Sequence, residues 1–307
     1  MTKQDFWEVN LTKQEYWETY NSHSLSFNFP EKFMEWWDKD KFDYKNCSSN
    51  LAKFCADYFE EWWDKDKFNY KNCSSDLAEF CADYFDIWWD PAKFTKNDFV
   101  NLITYCYVDI KKWWDPDKCK WYNFSWLLAK LAPDHFNLWW DAEKWNWEYH
   151  SSELAMYCSK EFKTWWDASK FNYDDALGDL VENCPNHFGE WWDASKANYE
   201  VISGFLASHC AKNFDEWWDG NKDFDYIKGS IHLAKNCSDK FDIWWDARKF
   251  NWEKTYQLIY KKFAHKFSDQ QLKKLLFHSS QFARKFAKLV LGKRRQNVKE
   301  RILGHAR

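Results

Sequence analysis

Nine lysines recur along the chain at a near-constant interval: Lys41, Lys67, Lys93, Lys118, Lys144, Lys170, Lys196, Lys222 and Lys249. Each stands five residues after the first Trp of a Trp-Trp-Asp tripeptide. A row of ammonium groups could meet a repeating anionic ligand, and a row of tryptophans could stack on bases, sugars or partner side chains. The candidate binding residues are therefore these lysines and the second Trp of each pair: Trp37, Trp63, Trp89, Trp114, Trp140, Trp166, Trp192, Trp218 and Trp245. Each column also has a packing role. Adjacent helical residues point about 100° apart, so one Trp can close its own repeat while the other faces the next. The repeat Asp suits a turn cap. The Lys can pair with that Asp or lie over a Trp of a neighbouring unit.

A cysteine column accompanies them: Cys55, Cys81, Cys106, Cys158, Cys184, Cys210 and Cys237, with Ala132 in the missing place. Ala as the substitute points to a small buried side chain. A repeat rise of about 10 Å exceeds the usual disulfide Cα separation of about 7 Å. No C-x-x-C occurs, and the nine His show no ligand spacing. Neither a metal nor another cofactor is expected. Motifs for phosphate loops, nucleophile elbows and zinc hydrolases are missing from the sequence. A catalytic site needs different residues converging once, whereas a repeated surface favours extended binding. The expected class is non-enzymatic.

The elements that must position these columns follow from the repeat. The first Trp residues are 26, 26, 25, 26, 26, 26, 26 and 27 residues apart, and 36–61 matches 62–87 at 21 of 26 places. Eighteen of the 25 tryptophans sit in the pairs. Counting from the first Trp as position 1, position 7 is usually aromatic, position 9 Tyr or Trp, position 16 Leu and position 20 Cys. A Phe (once Ile110) precedes each Trp pair by three residues. These spacings place positions 9, 16, 17 and 20 on one helical face. Asn, Asp or Thr at position 8 supplies an N-cap. Each repeat is thus expected to hold a longer helix over about positions 9–20 and a shorter one ending in the Trp pair, followed by a turn capped by Asp. Gly178 and Gly204, at position 14, could shorten the longer helix. The alternation resembles that of leucine-rich-repeat variants with a helix and a shorter helix per unit, at the level of architecture only, because the Trp-Trp-Asp signature is not theirs.

A 26-residue unit cannot bury its apolar face alone and must stack on its neighbours. The expected fold is an all-α solenoid of about nine repeats with a capping segment at each end. Residues 1–35 read as an N-terminal cap with two capping boxes, Thr2 with Asp5 and Thr12 with Glu15. Residues 36–268 read as the solenoid. Residues 269–292 read as a basic amphipathic capping helix with a stripe of Leu272, Leu275, Phe282, Phe286 and Leu289, ended by Gly292. Residues 293–307 read as a flexible basic tail with Lys293, Arg294, Arg295, Lys299 and Arg301 as its binding residues.

Charge divides along the same lines. Residues 261–307 carry 14 Lys and Arg against Asp269 and Glu300, a net of +12, while the other 260 residues hold 30 basic and 46 acidic side chains, a net of −16. An acidic body is a poor general binder of phosphate. The expected function is a monomeric scaffold that binds another macromolecule, a protein first, along an extended solenoid face. One alternative is a nucleic-acid binder using Trp stacking, the Lys column and the basic tail; another is a self-assembling structural protein. No stretch is apolar enough to span a membrane, and free thiols suit an intracellular setting, cytoplasmic or, through the tail, nuclear.

Overall fold

A computed structural model describes residues 11–218 and 224–304, and among them every regular element is helical. The chain divides into two compact units, Met1–Asn146 and Trp147–Arg307. Each is an α-solenoid in which every longer helix packs on the next. In the first unit these helices are Ser22–Asn28, Tyr44–Phe54, Tyr70–Phe80, Phe99–Tyr105 and Trp121–Leu131. In the second they are Trp147–Tyr157, Tyr173–Asn183, Tyr199–His209, Tyr226–Asn236 and Trp252–Phe263.

One repeat shows how sequence sets local structure. The Asp43 carboxylate accepts the Asn46 amide at 3.2 Å and starts the helix Tyr44–Phe54. Cys55 ends it, with φ −122° and its amide on the Leu51 carbonyl. A 3-10 turn over Ala56–Tyr58 and a single helical turn, Phe59–Trp62, complete the unit. The Asp64 carboxylate then accepts the Asp66 amide at 3.0 Å and holds the return turn. Pro133 and Pro185 occupy the first position of their 3-10 turns, where a missing N–H costs nothing.

The first Trp of every pair is buried. Its Nε1 donates to the carbonyl seven residues earlier, at 2.7 Å from Trp62 to Cys55 and from Trp165 to Cys158, and at 2.8 Å from Trp191 to Cys184. That carbonyl ends the longer helix, where acceptors lack helical donors. The indole therefore supplies both apolar area and a second donor to a carbonyl that also accepts the amide three residues on, as Tyr58 to Cys55 at 3.0 Å. Burial of such a ring stabilises by up to about 5 kcal/mol, an upper bound from area alone.

Several expectations change. The longer helix of the 25-residue repeat is only Phe99–Tyr105, because Lys96 replaces the position-9 aromatic and Asp98 turns back to accept the Thr95 amide at 2.7 Å. Gly178 and Gly204 do not shorten their helices, which run the full Tyr173–Asn183 and Tyr199–His209; neighbouring hydrogen bonds and packing outweigh a propensity penalty of about 1 kcal/mol. The C-terminal segment is two helices, Asp269–Leu275 and Gln281–Gly304. Gly292 lies inside the second, and residues 293–304 continue it where a flexible tail was expected. The break at 276–280 resets the helical phase, so Leu289 is exposed, and Ala283, Phe286, Ala287 and Val290 form the buried face. At the other end the Thr12–Glu15 capping box is formed, while Thr2 and Asp5 lie outside the described residues.

Candidate binding surface

Each lysine of the column follows the Asp-capped turn. Lys41, Lys67, Lys93, Lys144, Lys196 and Lys249 are exposed, Lys118 and Lys170 are partly buried, and Lys222 lies outside the described residues. The ammonium group is not placed over a Trp of the pair. In several repeats it approaches the position-9 ring of the preceding one instead. Lys67 lies 6.0 Å from the Tyr44 centroid, Lys93 5.9 Å from Tyr70, Lys144 5.9 Å from Trp121 and Lys196 4.0 Å from Tyr173. Only the Lys196 contact is close enough for a strong cation–π attraction. Lys118 and Lys144 also sit 3.7 and 3.6 Å from the Asp three residues earlier.

The Asp column forms its turn cap at every described position, as in Asp90 to the Ala92 amide (3.1 Å) and Asp193 to the Ser195 amide (2.9 Å). It also carries ion pairs between repeats that the sequence reading did not include. Lys39 meets Asp64 at 3.0 Å and Lys65 meets Asp90 at 3.1 Å. The Lys65 ammonium and the Ala92 amide hold the Asp90 carboxyl below the usual carboxylate range.

The second tryptophans are all partly buried. Except at Trp114, one face is covered by the Phe four residues earlier: Phe33 on Trp37 at 4.9 Å, Phe162 on Trp166 at 5.1 Å, Phe214 on Trp218 at 5.0 Å. The position-7 ring leans on the same indole, at 5.3 Å for Trp37 and Phe42. These side chains do not form an open stacking ladder. Helical i,i+4 geometry brings the Phe ring onto the Trp before any ligand could reach that face.

Between successive repeats the lysine turns border shallow grooves. One of about 890 Å³ is lined by Phe171, Tyr173, Lys196, Ala197 and Tyr199, and one of about 480 Å³ by Lys65, Tyr70, Lys93 and Asp98. Both occur where the repeat departs from its pattern: Ala197 replaces the position-7 aromatic, and residues 95–98 lack the first helical turn. Ala197→Phe should fill the larger groove and raise the thermal midpoint, by the equivalent of about 1 kcal/mol. A lowered midpoint in a calorimetric scan would show that the groove is not a packing defect.

Two buried columns hold the repeats together. All ten cysteines are free and buried. Those at position 20 point their Sγ at a carbonyl of the preceding repeat, as in Cys81 to Ala52 and Cys184 to Ala155, both 3.8 Å. Burial pushes the Cys158 and Cys184 thiols up to about 12, so neither is a thiolate near neutrality. The second column was missed by the sequence reading. Ser48 and Ser151 donate to the carbonyls of Tyr44 (2.5 Å) and Trp147 (2.6 Å). The same oxygens accept the amides of Asn69 (3.0 Å) and Asn172 (3.1 Å) from the next repeat. The available signal was Ser recurring at position 13, a buried phase of the longer helix.

The exposed apolar residues give a different row. Phe54, Phe80 and Tyr105 are the last residues of their longer helices, each 39% exposed, and Phe27, at 53%, packs edge-on against Phe54 at 5.1 Å. The sequence reading missed it because the residue that ends the longer helix is aromatic in only some repeats, with Leu131, Asn183, His209 and Asn236 in others. In the basic segment Lys293, Arg295, Lys299 and Arg301 are exposed. Arg294 is not a free tail residue. It donates to the carbonyls of Ala264 (3.0 Å) and Phe267 (2.7 Å) and to the Asp269 carboxylate (2.5 Å), and so anchors the last helix. No helix among the described residues is long and apolar enough to cross a membrane. No protein family matches this chain, and no curated protein or solved structure is significantly similar to it.

Proposed function

We propose that this chain is a non-enzymatic repeat scaffold that binds another protein along an extended face. The row Phe27, Phe54, Phe80 and Tyr105 carries the reading. Exposed aromatic side chains set in register by successive repeats are the kind of anchor that protein interfaces use. The surroundings favour a protein over a polyanion, since Asp57, Glu79 and Asp83 lie at the same helix ends and the first 260 residues are net acidic. The Lys column supplies a second set of repeated contacts for carboxylates of the partner. Reduced, buried thiols suit an intracellular setting.

The test compares Phe54→Ser/Phe80→Ser/Tyr105→Ser with Lys41→Ala/Lys67→Ala/Lys93→Ala. Partner capture would be read by quantitative cross-linking, with circular dichroism confirming that both variants keep their helices. The aromatic variant should lose at least ~10-fold in capture of a protein held by the wild type, a change of about 1.4 kcal/mol, and the lysine variant less. Equal capture by all three chains would sink the proposal.

A further inference from the structure

The last helix carries a surface that the protein-binding reading does not use. Gln281–Gly304 buries Ala283, Phe286, Ala287 and Val290 against the Trp252–Phe263 and Asp269–Leu275 helices. At about 100° per residue, Lys285, Lys288, Arg295 and Lys299 fall within an arc of about 80° on the opposite side and extend over about 21 Å. All four are exposed. Lys285 lies 5.2 Å from the Tyr256 ring. The only ion pair formed by this helix among the described residues is that of Arg294 with Asp269, and the only acid along it is Glu300, which accepts the Gln296 amide at 3.0 Å. From Arg295 to Arg301 every side chain is exposed, so the helix stands clear of the body over its last turns.

We infer that this helix binds the phosphate backbone of double-stranded DNA through the stripe Lys285, Lys288, Arg295 and Lys299. The inference does not rest on the protein-binding proposal. A line of cations without carboxylate partners releases counterions when it meets a line of phosphates. The exposed side of an α-helix whose last turns stand clear of the body fits the roughly 12 Å major groove of B-DNA, whereas the major groove of duplex RNA is too narrow and deep. Single strands are disfavoured because the stripe has no aromatic platform for bases. A membrane surface is disfavoured because the apolar face of the helix, Phe286 and Ala287, is already spent on the fold. The net −16 of the first 260 residues repels a polyanion and confines contact to this end.

The full chain is titrated against a fluorescent 20-base-pair DNA duplex by anisotropy, at 50 and 200 mM salt. With three to four phosphates neutralised, affinity should fall roughly 40- to 150-fold between the two. Lys288→Gln/Arg295→Gln/Lys299→Gln should lose at least ~10-fold at low salt and most of the salt dependence, with unchanged helicity and thermal midpoint. An RNA duplex of the same sequence and vesicles of 70% phosphatidylcholine and 30% phosphatidylserine are the controls, and both should bind more weakly. The inference is overturned by DNA affinity that is insensitive to salt, by a variant that binds as well as the wild type, or by tighter binding to RNA or vesicles than to DNA.

Discussion

Trp165→Ala lowers the free energy of unfolding of its unit by about 3–5 kcal/mol, the range for removing a large buried aromatic. The ring is 1% exposed, stands 5.0 Å from Phe162 and donates from Nε1 to the Cys158 carbonyl at 2.7 Å. Trp165→Phe separates the two contributions. It keeps most of the apolar contact and removes the donor from the helix-ending carbonyl, which still accepts the Glu161 amide at 3.0 Å. The cost should then be smaller, about 1–3 kcal/mol. Trp166→Ala, at the partly buried neighbour, should cost less than Trp165→Ala. Urea unfolding of the three variants checks the order. A Trp166→Ala cost equal to that of Trp165→Ala would show that the two columns share one role.

Ser48→Ala comes second. The hydroxyl is 0% exposed, donates to Tyr44 within its own helix and accepts the Asn69 amide at 3.0 Å from the next repeat. Alanine removes little volume and leaves that amide without its acceptor, which costs about 1–3 kcal/mol. The loss lies between repeats, so the coupling of adjacent units should weaken more than the helix itself. Native-state hydrogen exchange at Asn69 should speed up before exchange in the middle of Tyr44–Phe54. Slow exchange at Asn69 with undiminished stability would show that another group takes over as acceptor.

The two substitutions mark where each level of information ends. The Trp-Trp-Asp period and the apolar spacing were sufficient for helices, caps and stacking, because burial of a 3.6-residue stripe is a local pattern that copies itself with the repeat. Asp43, Asn172 and Asn251 cap their helices as position 8 implies, whereas Asn69 and Asn198 stand at the cap position without accepting an amide of the first turn. The candidate surface was less legible. A ring beside a backbone turn is free or covered according to its neighbours, and Phe33 on Trp37 or Phe162 on Trp166 makes that choice. Lys196 meets Tyr173 across a repeat boundary, at a separation in sequence that no helical period encodes.

By itself, then, the sequence determined that this is an all-helical repeat protein with buried thiols, an acidic body and a basic end, since period, composition and charge are additive along a chain. Tertiary structure alone decided which half of each Trp pair is fully enclosed, that Ser48 and Ser151 join neighbouring units, and that residues 293–304 extend a helix anchored by Arg294. Those outcomes depend on which groups meet across about 10 Å between stacked helices, and that distance is set by packing.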